Sequence, residues 1–165
     1  SKHIARALGL PLDQQELLLE AAPMHDIGKV GTPDSILLKP GKLTVEEFTI
    51  MKQHAVIGYE VLNTGNSHML KAAAIIALSH HEKFDGSGYP SGLKEAEIPL
   101  CGRIVAVADV FDALTTPRPY KTAWTIDQAI DYIVQRSGKQ FDPEVVNALL
   151  ACRPSVEAVA RQWVD

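Results

Sequence analysis

The sequence predicts an all-α fold: a single helical bundle with two long ordered loops. Apolar residues recur with helical periodicity through most of the chain, and the two-residue alternation typical of strands is nearly absent. The 165 residues are enough for one domain with a sizeable core. Hydrophobic residues make up 46% and charged residues 22%, which is the composition of a globular domain rather than a disordered segment.

Two helices are predicted before the first functional motif. Ile4, Ala5 and Leu8 lie at helical spacing, so the chain opens inside a helix. Asp13 is expected to cap a second helix that buries leucines and an alanine. Pro23 is expected to interrupt that helix, because proline fits a first turn but not a helix interior.

The first long loop is predicted over residues 28–42, where glycines and prolines are frequent. Thr44 and Glu47 form a capping box, which predicts a helix that begins there and runs toward Leu62. Residues 71–81 have the pattern of another buried helix.

The second long loop is predicted over residues 84–102, and four helices are expected after it. Thr125 with Gln128 is a second capping box, and Asp142-Pro143 is a typical helix start. Loops of this length in a compact domain are usually functional or disordered, and their regular Gly and Pro punctuation favours function. The four predicted helices lie at residues 103–115, from 125 to about 136, from 142 onward, and at 156–163.

The charge, the cysteines and the apolar runs limit the classes of protein to which this chain can belong. The net charge of −4, from 20 acids and 16 bases, argues against a non-specific nucleic-acid binder. Cys101 and Cys152 are isolated, which indicates free thiols in a reducing compartment. No apolar run approaches the ~18 residues of a membrane helix, and no signal peptide is visible. Ser1 is not a natural initiator, so we expect one domain, residues 1–165, cut from a longer protein.

An ordered series of histidines and acids is the strongest functional signal. Imidazole nitrogens and carboxylate oxygens hold borderline and hard divalent cations such as iron, manganese, nickel or zinc. The series comes from four separated segments, which suits a site in a bundle core where facing helices project side chains inward. Its members are His25, Asp26, His54, His80, His81 and Asp109.

Two metal ions are favoured over one. Adjacent helical residues point ~100° apart, so His25 and Asp26 can approach two neighbouring ions with Asp26 as the bridge. Two-metal sites activate a bridging hydroxide for in-line phosphoryl displacement. The alternative for the His80-His81 pair is a polar helix C-terminus. Asp109 is harder to explain otherwise, since a carboxylate buried in an apolar run is costly unless it is paired or bound to metal.

Several further side chains are candidates for the same site. Lys29 lies about one helical turn past Asp26. Arg118 and Lys121 flank a rigid Pro-Tyr turn and suit a phosphate clamp, with a solvated loop as the alternative. Asp112 is expected to orient a metal ligand from one turn beyond Asp109, or else to form a local salt bridge with Arg103 or Arg118.

Four stretches of this sequence resemble, in order and spacing, the HD-GYP domains, a subfamily of the HD superfamily of metal-dependent phosphohydrolases. The resemblance covers essentially the whole chain through FDPEVVNALL and is most specific in the DGSGYP loop. It implies a helical bundle of the HD type. The stretches are HDIGKVGTPDSILLKPGKL, MKQHAVIGYEVL, SHHEKFDGSGYPSGL and RIVAVADVFDALTTPRPYK.

The resemblance implies hydrolysis of the bacterial second messenger cyclic di-GMP to pGpG or GMP by a metal-bridging hydroxide. It makes the six-residue series the ligands of two divalent ions, with iron, manganese or nickel favoured over zinc or magnesium. Lys29 and Asp26 are then catalytic, and Tyr89, Arg118 and Lys121 contact substrate. The alternatives are an HD-type phosphohydrolase acting on another nucleotide or phosphoester, and a non-catalytic domain that binds cyclic dinucleotides or partner proteins.

One departure from the family pattern concerns the N-terminal side. Family members usually supply a further His, and sometimes a Glu, from a helix upstream of the position of His25, and His3 does not align with it. We therefore expect an incomplete protein shell for the first metal and no third metal. The resemblance also implies an upstream sensory or receiver domain in the parent protein, signalling-protein partners and a bacterial cytoplasmic location.

Overall fold

The computed structural model describes residues 1–117 and 122–162, with the side chains of residues 161 and 162 left aside. This part of the chain folds into helices joined by loops, and no strand occurs within it. Short 3-10 helices cover Ala22–Met24, Ile27–Gly31 and Glu95–Glu97. The α-helices are α1 (Lys2–Ala7), α2 (Leu12–Ala21), α3 (Asp34–Leu37), α4 (Val45–Lys52), α5 (His54–Leu62), α6 (His68–Ser79), α7 (Leu100–Thr115), α8 (Ile126–Val134), α9 (Pro143–Ala151) and α10 (Arg153–Gln162).

The predicted capping signals are confirmed. Both capping boxes form at their expected positions, at the start of α4 and of α8. Asp142 caps α9 by accepting a hydrogen bond from the backbone N–H of Glu144 at 2.8 Å. The all-α prediction is therefore confirmed, and local side-chain chemistry sets where these helices begin.

Several predicted boundaries differ from the structure. Pro11, not Asp13, is the N-cap of α2, and its carbonyl accepts the first helical hydrogen bond from Gln15 N at 3.0 Å. The predicted helix from Thr44 toward Leu62 is divided at Gln53 into α4 and α5. The first predicted loop contains a 3-10 helix and α3, and the second ends earlier because α7 begins at Leu100.

Helix α6 lies at the centre of the bundle and packs against α2, α5 and α7. Its buried face consists mainly of small side chains, with Ile76 the large one, and all of them are fully inaccessible to solvent. Small residues let neighbouring helices approach closely, which brings the ends of α5 and α6 together. The buried face comprises Ala73, Ala74, Ile76 and Ala77.

Within residues 1–117 and 122–162, no helix combines the length and apolar character needed to cross a membrane. Cys101 and Cys152 are both unpaired, which confirms the prediction of free thiols.

Candidate metal centre

The predicted ligand series converges around the carboxylate of Asp26. Asp26 lies in the turn between two 3-10 helices, whereas His54 begins α5 and His80 follows α6. Oδ1 of Asp26 lies 3.4 Å from Nε2 of His54 and 3.8 Å from Nε2 of His80. Oδ2 lies 3.6 Å from Nε2 of His25. Asp26 thus stands between histidines on two sides, as a bridging ligand would.

The imidazole orientations are fixed by backbone carbonyl groups. Nδ1 of His54 lies 2.7 Å from Met51 O, and Nδ1 of His80 lies 3.0 Å from Ala77 O. A carbonyl oxygen only accepts hydrogen bonds, so each of these Nδ1 atoms carries a proton and leaves Nε2, the other ring nitrogen, facing Asp26. An Nε2 atom held in this way can offer its lone pair to a cation that the carboxylate also binds.

His81 completes a group that is compact enough for one ion. Its Nε2 lies 3.1 Å from Nε2 of His54, so two ring nitrogens face each other. Asp26, His54, His80 and His81 each offer one ligand atom, and these atoms all lie within 4.8 Å of one another. Oδ1 of Asp26 and Nε2 of His80 are buried without a hydrogen-bond partner in the described part of the chain. Buried polar atoms rarely stay unsatisfied, so the donor set fits a divalent cation.

Burial keeps two of these histidines in the neutral form that a metal requires. Desolvation, together with the neighbouring histidines, lowers the pKa of His80 to about 4 and that of His81 to about 3. At neutral pH both rings therefore offer lone pairs without first losing a proton.

His25 and Asp109 form the other side of the centre. Nε2 of His25 lies 3.5 Å from Oδ1 of Asp109. Burial acts against the charged form of both groups, but their mutual interaction outweighs it, so the pKa of His25 is raised and that of Asp109 is lowered. Asp109 is less buried than its apolar neighbours in sequence predict, since its side chain is 31% exposed. Residue 109 lies on the face of α7 that borders a cavity of about 390 Å³, lined mostly by apolar side chains.

Lys29 is held directly at the shared carboxylate. Its ammonium group forms an ion pair with Oδ2 of Asp26. Burial raises the pKa of Asp26, but the hydrogen bond and charge of Lys29 outweigh it and leave the pKa below its usual value. The neighbouring Gly28 lets this turn lie against α5, since a Cβ atom there would be 1.9 Å from His54 O. The absence of a side chain at residue 28 thus brings Asp26 and His54 into the same site.

The DGSGYP loop is attached to the centre by Glu82, a residue that is not among the predicted site residues. Glu82 is 4% exposed, and its carboxylate accepts backbone N–H groups from Ser91 at 2.7 Å and Leu93 at 3.0 Å. Tyr89 N donates to His81 O at 3.2 Å, and the Tyr89 ring stacks on His81 with centroids 4.7 Å apart. The only sequence signal for this role was the position of Glu82 directly after the histidine pair.

Three predicted residues are not placed at the centre by the structure. Asp112 accepts a hydrogen bond from the hydroxyl of Thr116 at 3.4 Å, one turn further along α7. The alternative salt bridge from Asp112 to Arg103 is wrong, because Arg103 pairs with Asp142 at 2.5 Å. Arg118 and Lys121 lie outside the described residues.

The two histidines outside the series, His3 and His68, lie at the starts of α1 and α6. His68 is exposed. His3 is partly buried and lines the cavity beside Asp109.

The fold and the site together define the class of this protein: it is an all-α domain with a candidate metal centre of inward-facing histidines and carboxylates. The chain belongs to the HD domain family, whose family model matches residues 1–145. It is 51% identical over 160 residues to the cyclic di-GMP phosphodiesterase response regulator RpfG of Xanthomonas campestris, covering 97% of this chain and 42% of that protein. The resemblance predicted from the sequence is therefore confirmed.

Two further comparisons agree with this family. A cyclic di-GMP phosphodiesterase of Thermotoga maritima is 56% identical over 145 residues, which cover 88% of this chain and 39% of that protein. The crystal structure of a cyclic GMP-AMP specific phosphodiesterase of V. cholerae superposes with a TM-score of 0.69 at 23% identity, over 94% of this chain and 41% of that one. The chain thus spans about two fifths of the length of the relatives it matches, and the structural likeness shows a shared fold.

Proposed function

We propose that this domain is a metal-dependent phosphodiesterase that hydrolyses cyclic di-GMP to pGpG or GMP. The observation that carries the proposal is the shared carboxylate of Asp26, which imidazole Nε2 atoms face from two sides at 3.4 to 3.8 Å. The relatives named as cyclic di-GMP phosphodiesterases, 51% and 56% identical to this chain, supply the substrate class.

The donor set supports two divalent ions, and the resemblance to HD-GYP domains favours iron, manganese or nickel over zinc or magnesium, since imidazole and carboxylate ligands accept several of these ions. Bound ions of this kind lower the pKa of water and neutralise charge on phosphoryl oxygens. Asp26 would be shared between the two positions. His54, His80 and His81 would hold one ion, and His25 with Asp109 would hold the other.

Residues of the chain supply the remaining contacts. Lys29, held at Asp26, is placed to donate hydrogen bonds to a phosphoryl oxygen or to the leaving oxygen. Tyr89 forms a wall of the site through its stacking on His81. Arg118 and Lys121 bind the substrate phosphate through hydrogen bonds to their charged groups. Asp112, on the next turn of α7 after Asp109, orients a metal ligand on that side of the centre.

The domain acts within a larger signalling protein in the bacterial cytoplasm. The relatives are bacterial and more than twice as long as this chain, and one is named a response regulator. We expect an upstream sensory or receiver domain to control the activity, with signalling-protein partners.

The test measures metal content and turnover on the same preparation. The chain is loaded anaerobically with Mn²⁺ or Fe²⁺, bound metal is counted by inductively coupled plasma mass spectrometry, and cyclic di-GMP products are followed by chromatography. The wild type should bind two ions and release pGpG or GMP. Asp26→Asn should lose metal and activity, whereas the exposed control His68→Gln should retain both.

The alternatives give different results in this test. Turnover of a plain phosphodiester but not of cyclic di-GMP would assign the domain to another substrate of the HD-type hydrolases. Tight binding of cyclic di-GMP by the metal-loaded chain without turnover would favour a non-catalytic signalling domain.

A further inference from the structure

An aromatic side chain and a lysine on α4 extend the site away from the metal centre. The Tyr89 ring, stacked on His81, meets the ring of Phe48 edge to face, with centroids 6.1 Å apart. Phe48 is 45% exposed, so this side chain is open to solvent. A row of rings thus leads from His81 through Tyr89 to Phe48 at the surface.

Lys52, one turn after Phe48, has its ammonium group over both outer rings in cation–π contacts. Its Nζ atom is 5.4 Å from the centroid of Phe48 and 5.9 Å from that of Tyr89. Among the ion pairs of residues 1–117 and 122–162, none includes Lys52. The nearby acid Glu47 is bound by Lys39 at 2.6 Å and accepts Thr44 N. The Lys52 ammonium therefore keeps donors available for a ligand.

We propose that Phe48 and Lys52 form a guanine-binding platform: a nucleobase stacks on Phe48, and Lys52 donates hydrogen bonds to the O6 and N7 acceptors of guanine. Bases stack favourably on exposed aromatic rings, whatever their identity. A lysine beside the base adds discrimination, because guanine presents two acceptors on that edge whereas adenine presents an acceptor and a donor. The inference rests on the proposed function, since it takes a guanine nucleotide as the molecule held at the neighbouring centre.

The test uses three probes that differ only in the base: GMP, AMP and ribose 5-phosphate. Binding to the Mn²⁺-loaded chain is measured by isothermal titration calorimetry at fixed salt. Phe48→Leu should weaken GMP and AMP by about five- to fiftyfold while leaving ribose 5-phosphate unchanged. Phe48→Tyr should retain wild-type affinity, since it keeps the ring.

Lys52→Gln should reduce the preference for GMP over AMP by about five- to tenfold. The matched control Lys71→Gln removes an exposed lysine near the start of α6, whereas His80 follows the end of that helix. This variant should change no affinity. Equal weakening of all three probes by Lys52→Gln would make Lys52 a phosphate contact and overturn its role at the base.

The platform is also overturned if the wild type binds GMP no more tightly than ribose 5-phosphate, or if Phe48→Leu leaves GMP affinity unchanged. Turnover of cyclic di-GMP by the wild type is measured separately. Base-dependent binding without turnover would reject the proposed function and keep the platform. Turnover together with unchanged GMP affinity in Phe48→Leu would reject the platform and keep the proposed function.

Discussion

Replacing Glu82 by glutamine should weaken the attachment of the DGSGYP loop to the bundle. The substitution keeps the shape of a side chain that is 4% exposed, but the amide can accept only at its oxygen. One of the two backbone donors, Ser91 N or Leu93 N, then faces an N–H₂ group. A lost hydrogen bond to a charged acceptor and an unsatisfied, partly buried donor together cost roughly 2–4 kcal/mol, after allowing for the easier burial of a neutral group.

This loss should lower the melting temperature of the metal-free protein by about 5–15 °C, at roughly 2–4 °C per kcal/mol for a chain of this size. Circular dichroism measures the melting temperature, and hydrogen exchange should show faster exchange of the Ser91 and Leu93 amides. The control Glu97→Gln changes an exposed carboxylate in the same loop, which accepts Lys94 N at 2.9 Å, and should cost less than about 1 kcal/mol. Unchanged melting and unchanged protection of both amides in Glu82→Gln would refute the anchoring role.

Two further predictions concern pH and packing. The metal-free protein should lose stability as the pH falls from about 6.5 toward 4, because the unfolded chain then binds protons that His80 and His81, with pKa values lowered to about 4 and 3, do not. The lowered pKa of His80 alone contributes about 3 kcal/mol to this loss of stability. The raised pKa of His25 acts in the opposite direction, but it is one group against two. Equal free energies of unfolding in urea at pH 7.5 and 5.0 would contradict the prediction that His80 and His81 are neutral in the folded protein. Gly28→Ala places a Cβ atom 1.9 Å from His54 O and should destabilise the fold by about 3 kcal/mol or more. Gly65→Ala, whose Cβ would meet Leu70 Cδ1 at 3.4 Å and Ser67 N at an ordinary 3.9 Å, should cost less than about 1 kcal/mol. Equal melting temperatures for the two variants would disprove the close contact at Gly28.

The sequence was most informative where structure depends on nearby residues. Both capping boxes and the Asp142 cap were predictable, because their donors and acceptors lie within three residues of each other. The six-residue series was predictable as well, since few side-chain types bind metals and their spacing was distinctive.

Long-range contacts were not predictable in this way. The break at Gln53 carries no Gly or Pro signal, yet it makes His54 the first residue of α5. The anchoring by Glu82 depends on backbone groups nine and eleven residues away, and the close packing at Gly28 depends on α5. Asp109 was expected to be buried because its neighbours in sequence are apolar, but residue 109 lies on the face of α7 that borders a cavity.

The carbonyl groups that hold the Nδ1 atoms of His25, His54 and His80 come from residues three or four positions earlier in the chain. Each ring is therefore oriented by its own turn of backbone as the chain folds. These side chains lose their rotamer entropy during folding and not when a ligand binds, so the site is preorganised. In a preorganised donor set the protein's own backbone, rather than the ion, determines the coordination geometry, and geometry is one of the means by which a protein selects among divalent ions.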